Sequence, residues 1–261
     1  MDRSLDVVSV YQYPAYYELA FSFRNILAEV DVFETLIQRY AYLPVATMLD
    51  VACGPAPHLC ELTRRGYHYI GLDLSPTMLD YARHKARAQT VDVATTFVIA
   101  DLRDFRLNTP VDFAFIMLGS LYVQSTAELS AHFDAMAAAL KPGGLYLLDW
   151  CIDFSPSATR HVAWEIEAKG VTVKALYEAT PLNVIEQTIE ETMALVVEEN
   201  GTIMTLRERA VRREIYPQEF LLFCAQRRDF EFVGWWNDWE LTQPLDGTQA
   251  INRPISVVRR I

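Results

Sequence analysis

The apolar residues of this chain follow two different rhythms. Up to about Ser155, short apolar runs alternate with helical patterns. Ile26, Val30, Phe33, Ile37 and Tyr40 recur at helical spacing before Pro44 breaks the pattern. VATMLDVA then predicts a buried strand ending near Ala52, HLCELTRRG a helix closed by Gly66, and YHYIGLDLS a second strand ending at Asp73. SPTMLDYARHKAR predicts a helix with Ser75 as N-cap and Pro76 in first position: the hydroxyl satisfies a free amide, and the missing N–H costs nothing there. TTFVIADL and VDFAFIMLGS predict two more strands. STAELSAHFDAMAAAL predicts an amphipathic helix that stops at Lys141-Pro142-Gly143-Gly144, and LYLLDW a fifth strand. Such alternation specifies a parallel sheet covered on both faces.

After Ser155, Val, Thr and Ile alternate with Glu and Arg in HVAWEIEA, VTVKALYEA, VIEQTIEET, ALVVEE and TIMTLRERAVRREIY. Asn200-Gly201 is a strong hairpin signal because both residues tolerate positive φ. These runs predict an antiparallel meander inserted after the fifth strand. QEFLLFCAQRRDF predicts a sixth helix, and FVGWWNDWEL and ISVVRRI two closing strands. The expected architecture is α/β, a mostly parallel seven-stranded sheet with helices on both faces. Residues 1–154 and 214–261 are expected to form it, with residues 155–213 as the inserted β subdomain.

Composition narrows the function. The chain has 261 residues, enough for one large domain or one domain with an insertion, and a net charge of −11. An acidic chain repels phosphate backbones, so no nucleic-acid partner is expected. The one basic stretch, Arg207 to Arg213, alternates with Glu208 and Glu214 and reads as a solvated strand face. No run of about 18 apolar residues occurs, so no membrane span is expected, and the start MDRSLDVVSVYQYP lacks the pattern of a secretory signal. Cys53, Cys60, Cys151 and Cys224 form no C-x-x-C pair. A reduced, cytoplasmic setting is expected, with neither a disulfide framework nor a metal site.

Chemistry concentrates in the first strand-to-helix loop, Asp50-Val51-Ala52-Cys53-Gly54-Pro55-Ala56-Pro57-His58. A tight turn there lets backbone amides and carbonyls approach a ligand, and the small residues at 52, 54 and 56 keep the approach open. Asp73, ending the second strand, suits hydrogen bonds from both ribose hydroxyls; its other reading is a cap for the helix that follows, a role Ser75 already fills. Asp101 after the third strand could receive an exocyclic adenine amine, with the Leu102 amide donating to a ring nitrogen, or be an ordinary loop carboxylate.

Taken together, these segments resemble the class I S-adenosylmethionine-dependent methyltransferases, in the small-molecule, N-methyltransferase-like branch. MLDVACGPAPHLCELTRRGYHYIGLDLSPTMLDYARHKA is similar to their first two motifs, FVIADLRDF to the adenine-contacting segment, and LKPGGLYLLD to the turn into the fifth strand. VDFAFIMLGSLYVQSTAEL resembles the fourth strand with its continuation, and REIYPQEFLLFCAQRRDFEFVGWWNDWE the last helix and hairpin. The likeness spans residues 10–150 and 213–261, and the meander resembles the extra sheet that small-molecule members place over the active site. It implies a Rossmann-like fold, S-adenosyl-L-methionine as cofactor and a small-molecule acceptor. Ala52 and Gly54 would lie against the methionine moiety, with Asp50 orienting the loop and Leu118 contacting the amine. Asp73 would hold the ribose, Leu74 and Met78 would pack on adenine, and Asp101 and Leu102 would read its edge. Tyr17 and Arg24 would close over the cofactor, Arg24 gripping its carboxylate. The family has glycine where this chain has Ala52 and Ala56; a methyl at 56 could crowd the cofactor, but alanine is the smallest loss and binding is expected to survive.

Methyl transfer is an in-line displacement at an already activated sulfonium carbon, so alignment and exclusion of water matter most. A neutral amine needs no strong base, whereas a hydroxyl usually does. No strong base stands out. The candidates for the chemistry are Tyr17, Tyr122 and His161, although His161, like His58 and His132, also reads as a surface or packing histidine. Tyr11, Tyr13, Tyr16, Tyr17 and Tyr122 could line a pocket that holds a cationic amine by cation–π attraction. Trp164, Trp235, Trp236 and Trp239 divide between core and pocket wall. The resulting expectation is methylation of a small molecule, amine ahead of hydroxyl, with a homodimer through the meander covering an exposed edge. Two alternatives stay open: a non-catalytic S-adenosylmethionine-binding protein, and an NAD-dependent oxidoreductase, disfavoured because the loop lacks G-x-G-x-x-G.

Overall fold

The computed structural model describes residues 8–155 and 158–261. Its first sheet contains seven strands: β1 (Thr47–Val51), β2 (His68–Asp73), β3 (Thr95–Ile99), β4 (Val111–Ile116), β5 (Leu140–Asp149), β10 (Phe230–Asn237) and β11 (Pro254–Arg260). They lie in the order β10-β11-β5-β4-β1-β2-β3. β1 to β5 pair in parallel, and β11 runs antiparallel between β5 and β10. β1 has β2 on one side and β4 on the other. The strand order therefore reverses there and opens a crevice at the carboxyl ends of β1 and β4.

Among the described residues, six α-helices accompany the sheets: α1 (Pro14–Ala20), α2 (Ile26–Tyr40), α3 (Leu59–Arg64), α4 (Pro76–Ala88), α5 (Thr126–Ala139) and α6 (Pro217–Arg227). Three have side-chain caps: Asn25 accepts from the Ala28 amide, Ser75 from Met78 and Ser125 from Glu128. α2, α3 and α4 cover one face of the sheet, with Val30, Phe33, Leu36, Leu59, Leu62 and Leu79 meeting Phe113, Phe115 and Leu147. α5 and α6 cover the other, where Leu129, Phe133, Met136 and Phe220 meet Ala114, Ile116, Tyr146 and Leu148. Successive residues of β4 thus enter opposite cores, as the two-residue period of a strand requires.

The second sheet is a four-stranded antiparallel meander, β6 (Arg160–Ala168), β7 (Val171–Asn183), β8 (Thr188–Glu199) and β9 (Thr202–Arg213), paired in sequence order. Asn200 and Gly201 have φ of 52° and 74°, as a two-residue hairpin turn of primed type needs; Lys169 and Gly170, at 52° and 80°, make a second such turn. The amino-terminal segment lies on this sheet: Val8 bridges Leu206, and Val10 and Ala20 join Val173, Leu195 and Leu206 in a third apolar cluster.

Several expectations need correcting. VIEQTIEET and ALVVEE are not separate runs: residues 184–187 form the turn and β8 continues through both. Lys141-Pro142-Gly143-Gly144 does not separate α5 from a strand but lies inside β5, as an irregularity that shifts its pairing with β4. Gly144 is needed there, since a Cβ would stand 2.5 Å from the Asp112 carbonyl oxygen. The aromatic segment before α2 contains the unexpected helix α1, with Pro14 in its first turn. The basic stretch is solvated only in part, because Arg212 and Arg213 are buried. Among the described residues, no helix is long and apolar enough to cross a membrane.

Candidate active site

The loop after β1 is built by left-handed residues in alternation: Ala52, Gly54 and Ala56 have φ of 55°, 53° and 52°. Each non-glycine residue held there costs about 1–2 kcal/mol, so the surroundings must hold the turn in place. They do so through the Cys53 amide donating to the Leu72 carbonyl at 2.9 Å, and the Gly54 amide donating to Asp73 Oδ2 at 2.8 Å. Asp73 Oδ1 accepts from the Ser75 amide at 2.8 Å, so one carboxylate ties the loop after β1 to the start of α4. Burial pushes the Asp73 carboxyl up, and the backbone bonds from Ser75 and Gly54 oppose that shift. Both readings of Asp73 are thus compatible, since each oxygen keeps a second acceptor site.

A first cavity of about 250 Å³ opens beside this turn, walled by Tyr17, Arg24, Asp50, Ala52, Gly54 and Leu118 among others. Asp50 is buried and accepts from the Tyr69 hydroxyl at 2.7 Å. Burial pushes its carboxyl up to about 7, although the Tyr69 bond and the Arg24 charge oppose this. Leu118 has φ of 54°, and its amide donates to Asp149 Oδ2 at 2.8 Å. Arg253 grips the same Asp149 through Nε and Nη2 at 3.0 and 2.7 Å and reaches Glu29 at 3.1 Å. Glu29 also takes Arg24 and His58. Burial alone would raise Glu29, but the hydrogen bonds from His58 and Arg24 hold it at about 2. Burial lowers His58 to about 4, so this imidazole is neutral at physiological pH.

Arg24 lines the cavity, and its Nε and Nη2 hold Glu29 at 3.0 and 2.5 Å, which leaves Nη1 outside that ion pair. Ala56 is fully buried against the core beside α3 and is not part of the cavity wall, so its methyl does not crowd the pocket. Its consequence is backbone strain. The same positive φ accounts physically for glycine at these places in the family pattern.

Asp73, Leu74, Met78, Asp101 and Leu102 lie along the carboxyl ends of β2 and β3, outside the walls of this cavity. Leu74 is exposed and Met78 buried. Asp101 is gripped by Arg103 through Nε and Nη2 at 2.9 and 2.6 Å, a bond that lowers its pKa. The Leu102 carbonyl accepts from His132, which also bonds the Tyr146 hydroxyl in the core.

A second cavity of about 650 Å³ lies between the crevice and the meander. Tyr17, Phe21, Leu118 and Ser120 line both cavities and mark their junction. Tyr11, Tyr122 and Trp164 line the second cavity, whereas Tyr13 and Tyr16 do not. Tyr16 bonds Glu199 on the meander instead. Burial pushes the Tyr17 phenol up to about 12 and Tyr122 well above its usual value, so both hydroxyls are protonated donors at neutral pH. Trp236 belongs to the core, Trp235 packs edge-on to Phe154, and Trp239 stacks near Phe33 and Arg253.

His161 is corrected outright. Arg160, Val162, Trp164 and Ile166 face the second cavity, so the odd-numbered His161 projects from the other face of β6. Its side chain is 65% exposed and faces Glu178. The residues that sequence reasoning missed are on the cavity-facing side of the same sheet: Arg160, Tyr177, Glu191, Glu208 and Arg212. Arg212 Nε donates to Glu191 Oε1 at 2.7 Å, the Tyr177 hydroxyl donates to the same oxygen at 2.5 Å, and Arg160 holds Asp153 at 2.5 Å. The available signal was parity, since Glu208, Ala210 and Arg212 share one face of β9.

A glycine-containing turn at the switch point of this sheet, an acidic residue ending β2 and an added β layer resemble the arrangement of class I S-adenosylmethionine-dependent methyltransferase domains. Comparison with known proteins agrees: residues 48–144 match the family model described as a methyltransferase domain. The chain is 34% identical over 105 residues to a dTDP-3-amino-3,4,6-trideoxy-alpha-D-glucopyranose N,N-dimethyltransferase of Streptomyces venezuelae, covering 40% of this chain and 42% of that protein. It is 32% identical over 132 residues to a dTDP-3-amino-3,6-dideoxy-alpha-D-glucopyranose N,N-dimethyltransferase of Streptomyces fradiae, covering 49% of each. The matches thus span less than half the length of these curated relatives. Among solved structures, Streptomyces venezuelae DesVI superposes with a TM-score of 0.74 at 20% identity, over 94% of this chain and 97% of that one. That likeness extends the shared fold to nearly the whole chain.

Proposed function

We propose that the protein transfers a methyl group from S-adenosylmethionine to the nitrogen of a small-molecule amine. The observation that carries this reading is the junction of the two cavities. Tyr17, Phe21, Leu118 and Ser120 border both, and none of the four is a carboxylate or imidazole that could deprotonate a hydroxyl. An amine, whose lone pair is free once it is neutral, is the acceptor such a junction serves. The relatives that act on amino sugars support the same choice.

The residues present fit the cofactor. The buried Asp50 carboxyl, with Tyr69 as its hydrogen-bond partner, suits the positively charged end of the molecule. The turn at Ala52 and Gly54 lets backbone approach the methionine moiety, and Leu118 offers backbone contact from a left-handed position. Asp73 holds the ribose through its remaining acceptor sites, Leu74 covers the adenine beside Met78, and Asp101 and Leu102 border its edge. When bound, the cofactor supplies an electrophilic methyl on a sulfonium. Tyr17 closes the junction and Tyr122 orients the acceptor by donating its hydroxyl proton in a hydrogen bond. Residues 155–213 act as the substrate-side subdomain over the remaining 1–154 and 214–261. A homodimer would form through β6, the meander edge opposite the Val8 bridge.

The test is turnover. The purified protein is incubated with S-adenosylmethionine and either a dTDP-3-amino sugar or its 3-hydroxyl counterpart, and S-adenosylhomocysteine is followed with the mass of the product. Methylation of the amine alone is expected. Methylation of the hydroxyl compound alone would overturn the amine assignment.

A further inference from the structure

Charge around the second cavity is balanced except in one place. Arg160 is held by Asp153 at 2.5 Å, Arg212 by Glu191 at 2.7 Å, and Arg253 by Asp149 at 2.7 Å. Glu208 also lines the cavity, but among the described residues no Lys, Arg or His lies within ion-pair distance of it. Its Oε2 accepts from the Ser9 hydroxyl. A half-buried carboxylate whose partner is a neutral hydroxyl leaves a negative potential in the space it faces, stronger than the same charge would give in bulk water.

That space is walled by aromatic rings. Tyr11 and Tyr17 have ring centroids 5.8 Å apart at an angle of 56°, and Tyr17 and Phe21 are 4.9 Å apart at 46°. Phe21 in turn meets Trp164 at 5.5 Å. All four line the same cavity as Glu208. Burial, followed by the neighbouring Tyr17 and Glu208, pushes the Tyr11 phenol up, which places the Tyr11 hydroxyl within the field of that carboxylate. Tilted π-faces beside a carboxylate without a cationic partner attract a cation.

We propose that Glu208, with the rings of Tyr11, Tyr17 and Trp164, is a cation subsite that recognises the positively charged nitrogen with which the acceptor arrives. The proposal rests on the amine reading of the second cavity and adds the residue that selects for charge. Glu208 is a specificity residue: it acts on capture of the acceptor and leaves the first cavity untouched. The meander therefore contributes recognition, while the crevice at β1 and β4 contributes the turn that holds the cofactor.

The test uses benzyltrimethylammonium, a cation that cannot be methylated, and its neutral carbon isostere, each titrated into the full-length protein while tryptophan fluorescence is followed. Trp150 and Trp164 line the cavity and serve as reporters. The wild type is expected to bind the cation at least tenfold more tightly than the isostere. Glu208→Gln is expected to abolish that preference without changing S-adenosylmethionine affinity or melting temperature, and Ser9→Ala, which keeps the charge, to retain it. If Glu208→Gln unfolds, Glu208→Asp replaces it and is expected to keep a reduced preference. Equal binding of the two probes by the wild type, or a preference surviving in Glu208→Gln, would overturn the proposal. A wild type that prefers the cation but produces no S-adenosylhomocysteine from any amine would sustain the subsite and defeat the methyltransfer reading, so the two failures are separable.

Discussion

In the seven-stranded sheet, β4 buries every residue from Val111 to Ile116, whereas in the meander β6 fully buries none of Arg160–Ala168. The first sheet is packed by helices on both faces. The second has a cavity and the amino-terminal segment on one side, and His161 and its neighbours project from the other. A sheet sealed on both faces tolerates little change, because its interior is close-packed. A sheet with one face on a cavity can exchange side chains there at small structural cost. The comparison teaches why the turn after β1 carries a pattern that can be read locally, while the cavity face of the meander shows only as alternation along its strands.

The largest contrast should come from two glycines. Gly144→Val drives a side chain into the Asp112 carbonyl at the seam of β4 and β5, where a Cβ already stands at 2.5 Å, and is expected to abolish folding or lower the melting temperature by more than about 10 °C. Gly170→Ala meets nothing within 4 Å in its hairpin turn and should cost only its left-handed strain, about 1–2 kcal/mol. Equal effects in thermal melts would break the comparison.

Arg212 should behave as the exception on the meander. Arg212→Met leaves Glu191 buried without its cation and is expected to destabilise by about 3–5 kcal/mol in urea unfolding. The double variant with Glu191→Met should recover most of that loss, since replacing a buried ion pair by apolar groups is often neutral. A cost of under about 0.5 kcal/mol for Arg212→Met would show the pair to be effectively solvated.

A smaller effect sharpens the cofactor side. Burial raises the Asp50 carboxyl to about 7 in the folded protein, above its unfolded value of 3.8. Its contribution to stability is therefore fully present below pH 3.8 and is lost as pH rises towards 7. A cationic ligand in the same cavity favours the carboxylate, so its binding releases a proton. Affinity for S-adenosylmethionine is expected to rise about 10-fold between pH 6 and pH 8 through this group, and Asp50→Asn to remove that component. Calorimetry in buffers of different ionisation enthalpy reads the proton directly.

How much was legible follows the same division. The strands β1 to β5 and the capped helices α4 and α5 could be placed because apolar runs, Ser75, Pro76 and Ser125 carry their own local physics. The loop from Asp50 to His58 was legible for its small residues, but its three left-handed conformations were not, since Ala52 and Ala56 hide what glycine would have announced. Arg24 could be assigned to the cavity but not paired, because its partner Glu29 is fixed by His58 and Arg253, which arrive from distant parts of the chain. His161 could be read either as a candidate or as a surface histidine, because the sequence gives no register for β6. Only the packing of the meander against the rest of the chain fixes which parity faces the cavity, so the shared face of Glu208 and Arg212 could be seen but not assigned.

The most direct measurement is calorimetric titration of the purified protein with S-adenosylmethionine and, separately, with NAD, for the wild type and Asp73→Ala. Micromolar binding of S-adenosylmethionine, none of NAD, and a loss of at least about tenfold in Asp73→Ala are expected, because the carboxylate anchors Gly54 and is proposed to accept from the ligand. Absence of S-adenosylmethionine binding by a folded wild type, or binding unchanged in Asp73→Ala, would contradict these expectations.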